Sequence, residues 1–203
     1  FFNGNYIRQL SAEELYKWTL PFITGTGDAA LEVNPENPQP KPNVGPEFSG
    51  VALGEDGRPY CVDKSMNMST EDVEKTLLGL MPLIQERLKF LSEAAEMVRF
   101  MFTEPAVPPA DQIIPKKIDL AKTKEVLEEA KDYVAKIFDL DHEGAENLAK
   151  EKAEKLGIKL GDFMMPVRMA VTGSKVSPPL IGSILVLGKE KSLARIERTL
   201  ATL

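Results

Sequence analysis

Apolar residues recur every three or four positions over much of the sequence after residue 69, and this period constrains the fold more than any other feature. The first such series runs through Val73, Leu77, Leu80, Ile84, Leu88 and Leu91. That spacing places the side chains on one face of an α-helix. The alternating pattern typical of a half-buried strand is nearly absent outside residues 25–65. The sequence therefore predicts an all-α protein.

Residues that favour helix N-termini precede the apolar runs. Ser11 with Glu14 forms a capping-box pattern, in which each side chain satisfies a backbone N–H group of the other residue. We expect Pro21 to end this helix. The other predicted helix starts are Ser69, Ser92, Asp119, Asp141, Ser177 and Ser192. Gly79 and Pro82 predict a break that splits the run after Ser69 into two helices.

Two proline-rich segments interrupt the helical pattern. Because proline fixes φ and lacks a backbone donor, we expect Asn34–Pro46 to be an exposed, partly extended part of an insertion at residues 25–65. The segment Glu55–Arg58, between two short apolar runs, predicts a small hairpin. Residues 104–115 contain four prolines and indicate a linker. The predicted segments are residues 1–68, 69–115 and 116–203, and the last two are consecutive helical subdomains.

The sequence excludes several kinds of function. A single cysteine, Cys61, rules out an internal disulfide, and a single histidine, His142, rules out a multi-histidine metal site. The phosphate-binding, dinucleotide-binding, zinc-protease and nucleophile-elbow motifs are all absent. The acidic segment Asp139–Gly144 does not have the spacing of a calcium loop. We therefore predict no catalytic residues, no metal site and no bound cofactor in this chain.

The N-terminal sequence and the hydropathy of the chain indicate its origin and its cellular compartment. The N-terminus has neither an initiator methionine nor the pattern of a signal peptide, so we expect the sequence to be cut from a longer chain. No run approaches the roughly 18 apolar residues that a membrane span requires. With little cysteine, the expected compartment is the cytoplasm.

Charge is distributed unevenly. The net charge is −6, yet residues 162–203 carry six basic and three acidic side chains. The acidic average argues against non-specific nucleic-acid coating, whereas a local basic face remains possible because charges act over roughly 8–10 Å at physiological salt. Neither DNA nor a membrane is expected as a partner.

Six residues are candidates for ligand contact. Arg168 is flanked by apolar residues, so its guanidinium must find acceptors in the protein or in a ligand. Small hydroxyls and a cation follow it, which suit a phosphate–sugar contact, although a simple turn between helices uses the same residue types. The candidates are Arg87, Lys89, Arg168, Thr172, Ser174 and Lys175.

The C-terminal sequence resembles one known family. The segments Pro166–Gly173, Ser177–Leu180 and Leu187–Glu190 are similar to the C-terminal signature of bacterial glutamyl-tRNA synthetases. Phe2–Arg8 resembles the stretch after the catalytic domain of that family, and Pro82–Arg87 resembles its first anticodon-binding helices. The resemblance covers most of residues 1–24 and 66–203, and the insertion has no counterpart.

The resemblance implies a stem-contact and anticodon-binding region that holds the glutamate tRNA. In the family, an upstream catalytic domain uses ATP and Mg²⁺ to attach glutamate, and we expect that domain to be absent here. The arginine that matches Arg87 contacts the third anticodon base, and enzymes that also charge the glutamine tRNA tend to carry glutamine there. Lys89 is the alternative for that role. The arginine that matches Arg168 is also placed at the anticodon.

A different class of function remains open. The same basic residues would suit a helical module that binds a partner protein. Salt-dependent binding to the cognate tRNA, lost when the anticodon is changed, would separate the two hypotheses.

Overall fold

The computed structural model describes residues 2–26 and 50–203, and the chain forms two compact units, Phe1–Glu104 and Pro105–Leu203. The regular structure of the described residues consists of α-helices, short 3-10 turns and one two-stranded sheet, so the all-α class is confirmed. The division into three segments stays a prediction. The extended conformation expected for Asn34–Pro46 lies outside the described residues.

The described residues of the first unit form four helices and a hairpin. These are α1 (Phe2–Ile7), α2 (Ala12–Ile23), β1 (Val51–Leu53), β2 (Pro59–Cys61), α3 (Thr70–Gln85) and α4 (Glu93–Phe102). The predicted hairpin is confirmed, with β1 and β2 antiparallel and Val51 opposite Cys61. Helix α2 packs against α3 and α4, and α3 also packs against β2. The hairpin turn is tied to α3 by an ion pair between Arg58 and Glu74, 3.0 Å apart.

The helix starts predicted at Ser11, Ser69 and Ser92 are confirmed, although the Ser92 side chain makes no capping hydrogen bond, and the predicted breaks are wrong. Ser11 and Ser69 each form a capping box. Pro21 lies inside α2, and Pro82 lies inside α3, which is one continuous helix. Pro82 is exposed, whereas the opposite face of α3 is fully buried. Burial of that apolar face outweighs the hydrogen bond that the proline removes.

The second unit contains six helices. They are α5 (Ala110–Ile113), α6 (Leu120–Lys136), α7 (His142–Lys155), α8 (Leu160–Thr172), α9 (Leu180–Leu187) and α10 (Lys189–Thr202). Helix α8 packs against α5, α6, α7, α9 and α10, and is therefore the centre of the unit. The predicted caps at Asp119 and Asp141 are confirmed by hydrogen bonds from backbone N–H groups.

Several predictions in the second unit are wrong. The predicted linker contains α5, whose Ile113 is fully buried. No helix was predicted over α8, where Pro166 lies inside the helix and is buried. Ser177 lies before α9, which begins after Pro179, so it is not the cap. Ser192 is buried inside α10, which begins directly after Gly188.

A buried cation joins α6 to α7. Lys152 is 7% exposed, and its ammonium group donates to Glu129, at 2.7 Å, and to Asp132. Lys136 and Lys155 bind the same two carboxylates from the solvent side. Hydrogen bonds from Lys136 and Lys152 lower the pKa of Asp132 to about 2, and hydrogen bonds from Lys152 and Lys155 lower the pKa of Glu129.

Candidate functional site

The six candidate residues lie on two surfaces, one in each unit. Arg87 and Lys89 belong to the turn between α3 and α4, residues 86–92, which we call the Arg87 turn. The other four belong to the end of α8 and to the segment that follows it, residues 173–179, which we call the α8–α9 loop. The two surfaces have different construction.

The N-terminal side of the Arg87 turn is fixed by Gln85. Its amide Nε2 donates to the carbonyl oxygens of Ile7, at 2.8 Å, and Leu10, at 2.7 Å. The backbone N–H groups of Arg87 and Leu88 both donate to Ile84, at 2.8 and 3.1 Å. The Leu88 side chain is fully buried, which anchors the turn beside Arg87.

The C-terminal side of the turn is fixed by Glu93. Its carboxylate oxygen accepts from the backbone N–H groups of Lys89, at 2.7 Å, and Phe90, at 3.1 Å. Glu93 is the first residue of α4, where a negative charge also favours the helix dipole. The backbone that carries Arg87 and Lys89 is therefore held from both ends.

The Arg87 side chain is exposed. Among residues 2–26 and 50–203, it has no hydrogen-bond or ion-pair partner. The adjacent carboxylate of Glu86 is already paired with Arg8, at 3.2 Å. Lys89 is exposed as well, and its ammonium group has no partner within that same part of the chain. The turn thus presents two cations to solvent on a fixed backbone.

Arg168 faces the protein. Its side chain is half-buried, and Nη1 donates to the Pro178 carbonyl oxygen at 3.0 Å and to the Ser177 hydroxyl. Ser177 is itself buried. The acceptors that a guanidinium in apolar surroundings requires are thus supplied by the α8–α9 loop.

Thr172 and Ser174 also bond to the backbone of their own segment. Thr172 is 4% exposed, and its Oγ1 lies 2.9 Å from the Arg168 carbonyl oxygen and 3.1 Å from that of Ser174. The Ser174 hydroxyl accepts from the Val176 N–H group at 3.2 Å. Between them, Gly173 ends α8 with φ +70°, a conformation that favours glycine.

The side chains that the α8–α9 loop presents to solvent are those of Lys175 and Val176. Lys175 is exposed, and Val176 is 72% exposed despite being apolar. Bonds from Arg168, Thr172 and Ser174 hold the backbone on either side of them. The loop therefore offers one cation and one apolar side chain from an ordered turn.

Sequence reasoning missed several residues that build these surfaces. Gln85 and Ser177 supply the hydrogen bonds just described. Arg195 and Arg198 on α10 donate to the carbonyl oxygens of Val171, at 2.8 Å, and Pro105, at 2.6 Å. A signal was present for Arg195, because it falls on the same helical face as Ser192 and Thr199, which are all buried.

Other features of the described residues add no chemistry to these surfaces. Over residues 2–26 and 50–203, no group of three or more metal-binding side chains could hold an ion, and no helix is long and apolar enough to cross a membrane. A shallow cavity of about 410 Å³ lies between the start of α6 and the end of α7, where Lys117, Asp119 and Leu156 line it. None of the six candidate residues lines this cavity.

Each of the two helical units presents exposed cations on a fixed turn, as binding modules do. The family model for the anticodon binding domain matches residues 52–200, and the chain belongs to this family. More particularly, it is similar to glutamate–tRNA ligases. It is 43% identical to that of Treponema denticola over 99% of this chain and 36% of the relative, and 38% identical to that of Treponema pallidum over 98% and 34%.

The fold has a counterpart among solved structures. A crystal structure of a glutamate tRNA ligase from Elizabethkingia meningosepticum, in complex with its amino acid, matches the whole of this chain and 31% of its own length, with a TM-score of 0.62 and 20% identity. This likeness shows the fold. The chain spans about a third of the length of the curated relatives it matches, and corresponds to their anticodon-binding part.

Proposed function

We propose that this chain binds the anticodon loop of a tRNA, specifically the glutamate tRNA. Family membership and the names of the relatives support the class of ligand. The observation that carries the proposal is the exposed guanidinium of Arg87, which has no partner within the described residues and stands on a backbone fixed by Gln85 and Glu93.

Arg87 is assigned to the third anticodon base. Bases in a single-stranded loop can be splayed out and recognised on their edges. A guanidinium offers several N–H donors in a planar fork, which matches the acceptors on a base edge. A well-formed contact of this kind discriminates by about 1–3 kcal/mol. Because the turn is already ordered, little conformational entropy is lost on binding.

The neighbouring cations are assigned to the sugar–phosphate backbone. Lys89 and Lys175 are exposed ammonium groups, which act as point charges toward phosphate. The α8–α9 loop supplies shape, with Val176 at its surface and Arg168, Thr172 and Ser174 holding its backbone. In this proposal the last three residues support tRNA binding from within the protein.

In the longer protein, this region would act in the cytoplasm beside a catalytic domain that uses ATP and Mg²⁺ to attach glutamate to the tRNA. The present chain supplies recognition and no chemistry. We expect the purified 203-residue chain to show no glutamate-dependent exchange of pyrophosphate into ATP. Measurable exchange would contradict this part of the proposal.

The test compares two tRNAs that differ only in the third anticodon base. Replacing Arg87→Gln keeps a polar side chain but removes the charge and the fork. We divide the dissociation constant of the non-cognate tRNA by that of the cognate tRNA. We expect this ratio to fall by about 5- to 150-fold, mainly because the cognate tRNA binds more weakly. Lys89→Gln is the matched control, and it should weaken both tRNAs equally if it contacts phosphate.

Each contrary result has a defined meaning. An unchanged ratio for Arg87→Gln would remove Arg87 from base recognition, and a changed ratio for Lys89→Gln would assign the role to Lys89. If the wild-type chain binds neither tRNA in a salt-dependent manner, the anticodon proposal fails. The alternative, a helical module for a partner protein, would then be favoured.

A further inference from the structure

Two arginines of the C-terminal helix bond to backbone that lies outside that helix. Arg195 is 2% exposed, and its Nη1 donates to the Val171 carbonyl oxygen at 2.8 Å. Arg198 is half-buried, and its Nη2 donates to the Pro105 carbonyl oxygen at 2.6 Å. Both acceptors lie beside the start of the α8–α9 loop.

Arg195 acts on the end of α8. Val171 belongs to the last turn of that helix, where carbonyl groups have no partner within the helix. A cation at this position satisfies one such carbonyl and also favours the negative end of the helix dipole. Arg195 therefore fixes the point from which the loop leaves α8.

Arg198 acts on the first residue of the loop through Pro105. A Cβ atom placed on Gly173 would lie 2.7 Å from the Pro105 Cβ and 3.5 Å from the Ala106 carbonyl oxygen. The ring of Pro105 and the carbonyl group of Ala106 thus lie directly against Gly173. The hydrogen bond from Arg198 fixes the position of Pro105, which is 93 residues away in the sequence.

We infer that Arg198 is a positioning residue for tRNA binding, which acts through Pro105 and Gly173 on the loop that presents Lys175 and Val176. This inference rests on the proposed function. Its physical basis is preorganisation, because a loop that is ordered before binding loses less conformational entropy when the ligand arrives. Arg198 contributes to affinity without contacting the tRNA.

The test separates loop order from tRNA contact. Arg198→Met keeps most of the aliphatic stem and removes the donor, and Arg198→Lys restores a cationic donor. The first measurement is amide hydrogen exchange of Ser174 and Val176, whose N–H groups donate to Thr172 and Ser174 hydroxyls within the loop. The second is the dissociation constant for the cognate tRNA.

For Arg198→Met we expect exchange at these two amides to become about tenfold faster and tRNA binding about five- to tenfold weaker. Arg198→Lys should recover most of both losses. The control is Lys175→Ala, which should weaken tRNA binding while exchange in the loop stays at the wild-type rate. If Arg198→Met does not fold, Arg198→Gln compared with Arg198→Lys decides the same question.

Two results would overturn the inference. One is unchanged exchange at Ser174 and Val176 in Arg198→Met. The other is faster exchange with unchanged tRNA affinity. If the wild-type chain binds no tRNA, the proposed function fails, and the exchange measurement still shows whether Arg198 orders the loop.

Discussion

Each of the two surfaces has an arginine, Arg87 in the Arg87 turn and Arg168 in α8 before the α8–α9 loop, but the first side chain is exposed and the second is half-buried. Arg87 points to solvent, and the turn beneath it is held by Gln85 and Glu93. Arg168 is turned inward and holds its own loop through Ser177 and Pro178. In the role proposed for Arg87, recognition and support fall to separate residues, whereas Arg168 is itself the support of the loop that follows α8.

The residue type alone does not assign the role of either arginine. Both arginines matched the sequence pattern of an anticodon contact. Their partners differ, because one loop leaves its cation without an acceptor among the described residues and the other encloses it. Substitutions should therefore affect specificity in the Arg87 turn and stability in the α8–α9 loop.

The largest effect is expected where the loop leaves no room for a side chain. Gly173→Ala should destabilise the second unit by about 2–4 kcal/mol, because φ is +70° and the new Cβ would meet Pro105. Gly157→Ala is the control, since φ is +68° with no atom within 4 Å, and should cost about 1–2 kcal/mol. Thermal unfolding measures both. If the two substitutions destabilise the protein equally, Pro105 must shift to accept the new Cβ atom, and the predicted steric cost is wrong.

The two arginines should differ in how much their replacement changes the free energy of unfolding. Arg168→Met should destabilise the protein by about 1–3 kcal/mol, because the buried Ser177 hydroxyl and Pro178 carbonyl group lose the charged donor that they share. Arg87→Met should change the free energy of unfolding by no more than about 0.5 kcal/mol. Chemical denaturation gives both values. A large loss for Arg87→Met would break the distinction between the two surfaces.

The salt dependence of tRNA binding tests the role of the solvent-facing cations. If Lys175 contacts phosphate, Lys175→Ala should reduce the slope of log K against log salt by about 0.7, the value for one phosphate of a single strand. Lys150→Ala, which removes an exposed cation from α7, should leave the slope unchanged. Equal slopes in all three proteins would remove Lys175 from the tRNA interface.

The smallest effect is expected in acid. The folded protein holds the pKa of Asp132 at about 2, below its ordinary value of about 3.9, so its contribution to stability is present above pH 4 and is lost as the pH falls toward 2. Asp132→Asn should therefore reduce the drop in melting temperature between pH 5 and pH 2.5. The Arg87→Met variant should show the wild-type drop. An unchanged drop in Asp132→Asn would show that this ion network does not control acid stability.

The parts of the fold that follow from local chemistry could be predicted from the sequence. The caps at Ser11, Ser69, Asp119 and Asp141 depend on hydrogen bonds within a few residues, and all four are confirmed. The breaks predicted at Pro21 and Pro82 were wrong because packing of the whole helix outweighs a local cost. Helix α8 was missed for the same reason, since Pro166 lies within it.

The candidate surfaces show the same contrast between local contacts, which the sequence indicates, and contacts between distant residues, which it does not. The sequence indicated that Arg168 needs acceptors, but it did not show that Ser177 supplies one. Arg198 acts on Pro105, which is distant in sequence, and no local pattern reports such a contact. The assignment of individual residues to the tRNA stays a prediction.

The absence of a described partner for Arg87 has an evolutionary consequence. If Arg87 contacts the anticodon as proposed, a lineage that exchanges this side chain alters recognition without a compensating change among the described residues of the unit. The α8–α9 loop offers less freedom, because Gly173 lies against Pro105 and the Pro105 carbonyl oxygen accepts a hydrogen bond from Arg198. In the proposed role of Arg87, ligand preference can change through a single exposed side chain, whereas the shape of the loop after α8 depends on three residues in contact.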